Sequence, residues 1–527
     1  MSGSLRNWFF GASVLALSSA AQAQAPPVSG SGTEAESEAE AETGTEPETG
    51  TEPETGTEPE TGSESGSEGD DWGEGDDWGE GDDDAGFAEV EPPPAVLLEA
   101  PKNWQLTGFL RSREDLWVER FDDNPLAKAR QSVDLEGRYK ERFGELAVRL
   151  LGAIHLEYDA AYLVERDGYD DATIDTYEWQ IIGGETFVAL AYGPVDLTLG
   201  RQVVAWGKGE VLSPLDVVNP RDLREPGLAE LVDIRLAVLA SRLGVFFGNH
   251  RLEAMVIHES YFGLFPAPLS AFSPLSELIV SDPTVAALLA GKTLSYEHVP
   301  DRFDPGASQF LGRWSYAGHG VDLALYAASI LDRQGIAVPP APEALAARDI
   351  EVELYHPRYT MFGHAGALPE GDFVFRWELG AELDRPIPVL PLGGAAYEHQ
   401  LIWMGGVTYG GIDDGSVGLE YAQSRVLDAP PEDALLLPVN QPRFAVRYTQ
   451  SFLRETLDLT VVATAFGLTE FRGWLTRAEL DYELRDALHL GLGYVTYQPA
   501  SDEFGPLYGF DDNDRVFASL RWDFAVD

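Results

Sequence analysis

The residues after Asn103 form repeated strand-length runs in which apolar and polar side chains alternate. In the clearest run, residues 373–384, the aromatic side chains of Phe373, Phe375 and Trp377 occupy odd positions and mostly charged side chains occupy even ones. Successive side chains of a β-strand point to opposite faces, so this period of two separates the two sets. No other feature constrains the fold as strongly, and it predicts an all-β protein.

A soluble β-sandwich alternates in the same way, so the choice between sandwich and barrel rests on three further features. The polar faces carry charges in most runs, as expected of a water-filled lumen, and Trp, Tyr and Phe concentrate toward the ends of the apolar faces. The last run ends near the aromatic residue Phe524. These features are typical of the lipid-facing belt and aromatic girdles of outer-membrane barrels. The sequence therefore predicts a transmembrane antiparallel up-and-down β-barrel.

Connection lengths indicate how many strands the barrel has. Long connections and short turns alternate between the runs, with residues 467–470 as the one clear exception. Long outer loops and short periplasmic turns are typical of these barrels, and the runs number about 18, with 16 as the alternative. Residues 172–192 and 349–364 are each predicted to form a single strand.

The N-terminal part of the chain has a different texture from the barrel. Residues 1–23 have a positive start, a short apolar stretch and an Ala-Gln-Ala end, which predicts a secretory signal peptide. Residues 24–100 are acidic and of low complexity, which predicts a disordered tail. This tail is expected to be a solvated spacer, and weak Ca²⁺ binding or docking of Trp72 and Trp78 on a partner are the alternatives. Residues 101–527 then form the barrel.

Composition excludes several classes of function. The chain carries 36 Lys and Arg against 89 Asp and Glu, a formal net charge of −53, which repels the phosphates of nucleic acid. It has no cysteine, so disulfides and thiolate metal sites are excluded. Beyond the N-terminus no apolar run is long enough for a transmembrane helix. A membrane β-barrel remains compatible, because alternating strands average out in hydropathy.

Residues 207–232 form the third outer connection and carry an unusual density of charge. By fold-level analogy with simple porins, we predict that this loop folds into the barrel and narrows it. The pore-constriction candidates are Lys208, Glu210, Asp216, Arg221, Asp222, Arg224 and Glu225. The alternative is that these are ordinary solvated loop charges. Asp222 could instead cap a short helix expected at residues 225–231.

Charged residues on the inward faces of two strands are candidates for the lumen lining. They are Arg376, Glu378, Glu382, Arg477, Glu479, Asp481 and Glu483. Because carboxylates outnumber cations among them, the lumen is expected to favour cations.

A second long connection, residues 263–306, contains the apolar stretch 276–289. This stretch is expected to be a helix capping the barrel mouth or a lipid-facing flap, either of which would make the entrance apolar. Packing of the loop against itself explains the apolar residues equally well.

The segments Gly200-Arg-Gln-Val-Val-Ala-Trp-Gly207 and Asp216-Val-Val-Asn-Pro-Arg-Asp222 resemble a family of Gram-negative outer-membrane proteins known mainly as a domain of unknown function. Its members carry a Gly-Arg-Gln-x-x-x-Trp-Gly strand end and an Asn-Pro-x-Asp loop. The matching residues are Gly200, Arg201, Gln202, Trp206, Gly207, Asn219, Pro220 and Asp222. The resemblance implies a porin-like barrel and an association with exporters of hydrophobic molecules.

No motif for catalysis or a cofactor is found. The 9 His residues include no HExxH-type metal pair, and no Gly-x-Ser-x-Gly elbow occurs. The contiguous residues His258-Glu259-Ser260 would point to alternate faces of a strand, which argues against a hydrolase triad. We therefore predict neither an enzyme nor a bound cofactor or metal.

These observations predict an outer-membrane channel for passive diffusion of small solutes, leaning toward cations. One alternative is a barrel partner of an envelope transport system that passes hydrophobic molecules. Another is a structural envelope protein whose acidic tail reaches a partner. The expected partners are outer-membrane lipid, small-molecule solutes and the barrel assembly machinery that inserts such proteins.

Overall fold

The computed structural model describes residues 103–526, apart from residues 121–124, 165, 230, 232, 390–393, 432–434, 436–437, 468–471 and 501–504. The predicted signal peptide, residues 1–23, and the predicted acidic tail, residues 24–100, lie outside the described residues.

Eighteen antiparallel strands form one closed sheet. Each strand pairs with its neighbours in sequence, and the first pairs with the last from Leu106↔Val526 to Trp117↔Arg515, which closes the barrel. The strands are β1 (Trp104–Trp117), β2 (Leu126–Phe143), β3 (Leu146–Asp159), β4 (Trp179–Tyr192), β5 (Val195–Gln202), β6 (Val238–Phe247), β7 (His250–Ile257), β8 (Gln309–Gly318), β9 (Val321–Leu331), β10 (Arg358–Glu370), β11 (Phe373–Val389), β12 (Gly394–Ile412), β13 (Gly415–Val426), β14 (Asn440–Phe452), β15 (Leu457–Phe466), β16 (Gly473–Arg485), β17 (Leu488–Pro499) and β18 (Arg515–Val526).

The connections confirm the predicted up-and-down order and the count of 18 rather than 16 strands. Short turns such as residues 193–194 and 319–320 join strands at one end. Long connections such as residues 203–237 and 258–308 join them at the other. The exceptional connection, residues 467–472, lies at the end with the long loops, so its shortness does not disturb the order.

The two faces of the wall separate side chains as the alternation predicts. On β11 the outward side chains of Phe373 and Leu379 are 43% and 54% exposed, whereas the inward carboxylate of Glu378 is 0% exposed. Along β11, apolar residues are thus free to meet hydrocarbon, and the charged residues lie on the inward face. A charge moved to the outward face would cost about 2–4 kcal/mol at the middle of a bilayer.

Two predicted strands are wrong at one end. The first part of residues 172–192 is a helix, Asp171–Tyr177, whose N-terminus is capped by the side chain of Asp170 accepting from the N–H of Thr173. The first part of residues 349–364 is a separate strand, Asp349–Tyr355, outside the barrel sheet. Both errors arise because a short amphipathic loop element alternates like a strand over a few residues.

The long connections build a layer of their own, here called the mouth layer. It contains two helices, Pro274–Ser281 and Pro283–Leu289, and a sheet of three strands, Thr293–Val299, Asp349–Tyr355 and Ile336–Val338. These elements share a buried apolar core formed by Leu275, Val285, Leu289, Leu294, Ala337, Ile350, Val352 and Leu354. The apolar stretch 276–289 is therefore helical, and it packs largely within its own layer.

The remaining short elements lie in the same connections. They are the helix Ala161–Val164, the 3₁₀ turns Arg166–Gly168, Pro305–Ala307 and Ala344–Ala346, and the paired strands Arg221–Asp222 and Gly263–Leu264. No helix among the described residues is long and apolar enough to cross a membrane.

A pair of histidines joins the mouth layer to the barrel rim. The Nδ1 of His356 lies 2.7 Å from the carbonyl oxygen of Asp332, which can only accept, so this nitrogen carries the proton. Its Nε2 then accepts from the Nδ1 of His298 at 2.9 Å. The ring of Phe262 stacks on His356 at 3.4 Å. Burial, with the adjacent His298, lowers the pKa of His356 to about 3.

This pair predicts loosening of the mouth layer in acid. Because the pKa of His356 is lower in the folded layer than in the open chain, its contribution to stability is complete above about pH 6.5 and falls as pH drops toward 3. Hydrogen exchange of residues 293–299 and 349–355 should show the opening constant rising about tenfold per pH unit below pH 6. The variant His356→Gln should remove this dependence, whereas His319→Gln at a short turn should retain it.

Candidate functional site

Residues 203–237 connect β5 to β6 and lie against the inner face of the wall; they are here called the inner segment. Its first part contacts β11 and β13, and its later part contacts β2 and β18. These strand pairs lie well apart around the ring, so the segment crosses the barrel interior.

The two ends of the inner segment are tied together at its base. The side-chain oxygen of Asn219 accepts from the N–H of Val204 at 2.7 Å. Its amide nitrogen donates to the carbonyls of Gln202 at 3.0 Å and Leu236 at 2.8 Å. One buried amide therefore replaces the ladder hydrogen bonds that β5 and β6 lose where they separate. Since a buried amide needs all these partners, Asp or Leu at this position would leave backbone groups unpaired.

The carboxylate of Glu378, on β11, holds the first turn of the inner segment. Its Oε1 accepts from the backbone N–H groups of Lys208 at 2.6 Å and Gly209 at 2.8 Å, and from the Ser213 hydroxyl at 2.9 Å. Its Oε2 accepts from the N–H of Leu215 at 2.9 Å. Hydrogen bonds to a charged acceptor are worth about 1.5–3 kcal/mol each, so this is a strong attachment.

Glycine is required where the inner segment turns over this carboxylate. Gly207 has a φ of +87°, and a Cβ there would lie 2.5 Å from Oε1 of Glu378. Its neighbour Trp206 is buried, with its ring 4.7 Å from that of Tyr326 on β9. The aromatic contact and the tight turn together direct the chain inward.

A second carboxylate, Glu420 on β13, holds the next three residues. Its Oε1 accepts from the N–H of Glu210 at 2.6 Å, and its Oε2 accepts from those of Val211 at 3.0 Å and Leu212 at 2.6 Å. The side chain of Glu210 forms an ion pair with Arg376 of β11 at 2.8 Å. Strands β11 and β13 thus both bind the same turn of the inner segment.

Apolar contacts fill the space between these polar attachments. Val204, Trp206, Leu215 and Val218 of the inner segment pack in one core with inward side chains of β6 to β12. The wall residues of this core are Val238, Ala240, Met255, Ile257, Leu311, Ala324, Tyr326, Ala328, Ile330, Tyr359, Met361, Ala365 and Ile402. This part of the inner face is therefore apolar, in contrast to the charged lining that the sequence predicts for most strands.

The later part of the inner segment ends in an ionic cluster against β2 and β18. The Glu225 carboxylate lies 2.8 Å from Nη1 of Arg515, 2.5 Å from Nζ of Lys128 and 3.4 Å from Nη1 of Arg130. Burial alone would raise the pKa of Glu225, but Lys128, Arg130 and Arg515 together hold it well below its usual range.

The cluster continues along the wall and is balanced in charge. Arg224 lies 2.5 Å from Asp222 and 3.8 Å from Glu157 of β3. His155 extends the cluster from Glu157 to Asp134. Apart from that histidine–aspartate pair, the connected groups are five cations, Arg113, Lys128, Arg130, Arg224 and Arg515, and five carboxylates, Asp115, Glu157, Asp159, Asp222 and Glu225.

The helix predicted at residues 225–231 is wrong: the described residues there form turns. The carbonyl of Pro226 accepts from the Tyr497 hydroxyl at 2.5 Å, and Gly227 has a φ of +82°. The positive φ of Gly227 is incompatible with a regular right-handed helix. Asp222 does not cap one; it accepts from the N–H of Arg224 at 3.1 Å.

The structure brings the seven constriction candidates into the inner segment, where most of their charges meet a partner. Glu210, Asp222, Arg224 and Glu225 form the ion pairs described above. Asp216 pairs with Arg221 at 3.2 Å and with Arg235 at 3.0 Å, and Lys208 contributes its backbone N–H to Glu378.

The lumen-lining candidates fall into two groups. Arg376, Glu378 and Glu382 on β11 are buried, the first two by the inner segment and the third beside Arg385. Those on β16 remain partly exposed on the inward register: Arg477 pairs with Glu479, Asp481 lies 2.8 Å from Nδ1 of His489, and Glu483 is half-buried.

Of the remaining motif residues, Gly200 and Gln202 face inward and Pro220 is buried at the base of the segment. Gly200 has a φ of +134°, and a Cβ there would lie 2.3 Å from the carbonyl oxygen of Thr186. Arg201 faces outward and pairs with Glu259 at 2.9 Å. His258, Glu259 and Ser260 do not form a triad, because the ring of His258 bonds Ser241 instead.

Sequence reasoning missed Glu420, Lys128, Arg130 and Arg515. Glu420 had a signal in the sequence: it is the one acid on the inward register of β13. Its neighbours on that register, Gly418, Ala422 and Ser424, have small side chains that leave room for the inner segment. No signal in the sequence distinguished Lys128, Arg130 and Arg515, since charged inward residues are common on all these strands. Among the described residues, no group of three or more His, Asp or Glu is arranged to hold a metal ion.

The family model of a protein family of unknown function, DUF1302, matches residues 183–524 of the chain. The chain belongs to this family. The DUF1302 match thus spans β5, the inner segment and most of the wall. No curated protein matches the chain.

Among solved structures, this DUF1302 protein is similar to Acinetobacter baumannii OccAB3, with 11% identity, 80% of this chain and 99% of that chain covered, and a TM-score of 0.45. It is also similar to OpdK of Pseudomonas aeruginosa, with 11% identity, 81% and 100% coverage and a TM-score of 0.45. OccK8 (OprE) of the same organism has 10% identity, 80% and 98% coverage and a TM-score of 0.46. The barrel fold of this chain is established by its own strand pairing.

We predict that Glu378→Gln detaches the first turn of the inner segment. The amide NH₂ of Gln would face backbone N–H donors, so charged hydrogen bonds worth about 1.5–3 kcal/mol each would be lost. Hydrogen exchange of residues 207–215 should accelerate by at least about tenfold. Glu479→Gln, an inward carboxylate on β16 away from these contacts, serves as the control. Equal exchange in both variants would contradict the assigned attachment.

Proposed function

We propose that this protein is an outer-membrane channel for passive diffusion of small solutes, in which the inner segment narrows the pore. The observation that carries the proposal is the closed 18-stranded wall with an irregular segment fixed across its interior. Barrels of this size enclose an aqueous space unless loops fill it.

Its location in the outer membrane is supported by the outward face. Large apolar side chains are exposed there on many strands, and aromatic residues such as Trp104, Tyr139, Phe373 and Tyr409 gather near the end with short turns. Such a surface is stable in hydrocarbon and unstable in water. Insertion would require the barrel assembly machinery, and residues 1–23 would direct export.

A preference for cations is proposed from the charges that the inner segment leaves uncovered. Most charges of the segment are neutralised in pairs, so they contribute little net field. Asp481 and Glu483 on β16 are more open to the interior. Fixed carboxylates raise the local concentration of cations and lower that of anions.

Planar-bilayer recording tests the channel. The wild-type protein should give discrete conductance steps, and Glu378→Gln should give larger or noisier steps because the segment is freed at one end. Glu114→Gln, which removes an exposed outward carboxylate, should leave the steps unchanged. Absence of any steps from folded wild-type protein would favour instead a role as barrel partner in transport of hydrophobic molecules.

Reversal potentials test the selectivity. In a salt gradient the wild-type channel should be cation-selective, and the double variant Asp481→Asn, Glu483→Gln should lower the cation-to-anion permeability ratio about two- to fivefold. The outward control Glu114→Gln should have no effect. Anion preference of the wild-type channel would contradict the proposal.

A further inference from the structure

A polar patch interrupts the outward apolar face of the wall near its long-loop end. The hydroxyl of Ser241 lies 2.8 Å from Nε2 of His258, and both side chains face outward. Arg201 occupies the outward position between the inward-facing residues Gly200 and Gln202. Placing polar groups on a lipid-facing surface costs free energy unless the groups are hydrogen-bonded, so the patch favours contact with a polar group of a ligand.

A buried carboxylate fixes two guanidinium groups in this patch. Glu259 accepts from the N–H of Leu239 at 2.7 Å and pairs with Nη1 of Arg201 at 2.9 Å and with Nε of Arg302 at 3.1 Å. Two guanidinium groups share this carboxylate, so Glu259 neutralises only one of them. The carboxylates of Asp301 and Asp304 flank Arg302 in the chain, and that of Asp304 accepts from the N–H of Gly306.

Arg302 presents unused donors. Its side chain is 47% exposed and binds Glu259 through Nε, while its terminal amino groups make no hydrogen bond within the described part of the chain. Its guanidinium lies over the rings of Tyr261 at 4.5 Å and Phe303 at 5.6 Å, which hold its plane in place. The adjacent Asp304 caps the turn that begins at Pro305.

Apolar side chains surround the patch on the side away from the mouth. Leu199, Val256 and Phe310 lie on the outward register in the row that contains Ser241. The ring of Phe303 is 64% exposed beside Arg302. An exposed cation bordered by exposed hydrocarbon matches a ligand with an anionic head and an apolar tail.

We propose that this patch binds the phosphate of an outer-leaflet lipid headgroup through Arg302, with Ser241 and His258 as further hydrogen-bonding groups. The acyl chains would lie along Leu199, Val256 and Phe310. A guanidinium suits phosphate because it offers paired donors in one plane. The inference rests on the membrane location proposed above, but it requires no channel activity.

Native mass spectrometry of the detergent-solubilised full chain tests the site. The probes are lipid A bearing two phosphates, the same lipid after dephosphorylation, and inorganic phosphate alone. The variants are Arg302→Gln and, as a matched control, Arg166→Gln, an outer-loop arginine that is 50% exposed and pairs with Glu178. Heat-modifiable migration on gels confirms that each variant keeps a folded barrel.

The wild-type protein should bind the phosphorylated lipid about tenfold more tightly than the dephosphorylated one, and Arg302→Gln should lose that difference while Arg166→Gln keeps it. Equal binding of both lipids, or equal loss in both variants, would overturn the proposal. Displacement of the lipid by millimolar inorganic phosphate would overturn the assignment to a headgroup. Conductance is measured separately, so failure of lipid binding and failure of the channel proposal are distinguishable.

Discussion

Backbone hydrogen bonding is the constraint on which the whole structure depends. A strand that crosses hydrocarbon has no water for its N–H and C=O groups, so its partner must be another strand and the sheet must close. The chain meets this condition with 18 strands whose first and last members pair along their length. Closure then creates a protected inner face, and the inner segment, the ionic cluster and the apolar interior core are all built on that face.

The same constraint governs the inner segment, which is irregular and has few backbone partners of its own. The wall supplies acceptors in their place: Glu378 and Glu420 together receive the N–H groups of successive residues in one turn. A buried carboxylate without partners is very costly, and unpaired backbone N–H groups inside the barrel are costly too, so each group satisfies the other. Charge on the inner face therefore serves attachment as much as solvation.

The wall could be predicted from sequence because its pattern is local: alternation places Phe373 outward and Glu378 inward without knowledge of any distant residue. The interior could not, because its contacts join residues far apart in the chain, as Glu378 joins Lys208. The predicted helix at residues 225–231 failed for the same reason: Glu225 is held by the distant residues Lys128 and Arg515, and Gly227 adopts a φ of +82°. The mouth-layer strand Asp349–Tyr355 was assigned to the wall because a strand in either sheet alternates alike.

The position of Glu225 has a consequence for the seam between β1 and β18. Lys128 belongs to β2 and Arg515 to β18, the two strands that flank β1, and Glu225 bridges both from inside. Glu225, a residue from the middle of the sequence, thus stabilises the junction between the first and last strands of the barrel. Separating β1 from β18 would leave buried charges without partners, at a cost of about 3–5 kcal/mol. Docking of the inner segment and closure of the barrel are therefore thermodynamically coupled.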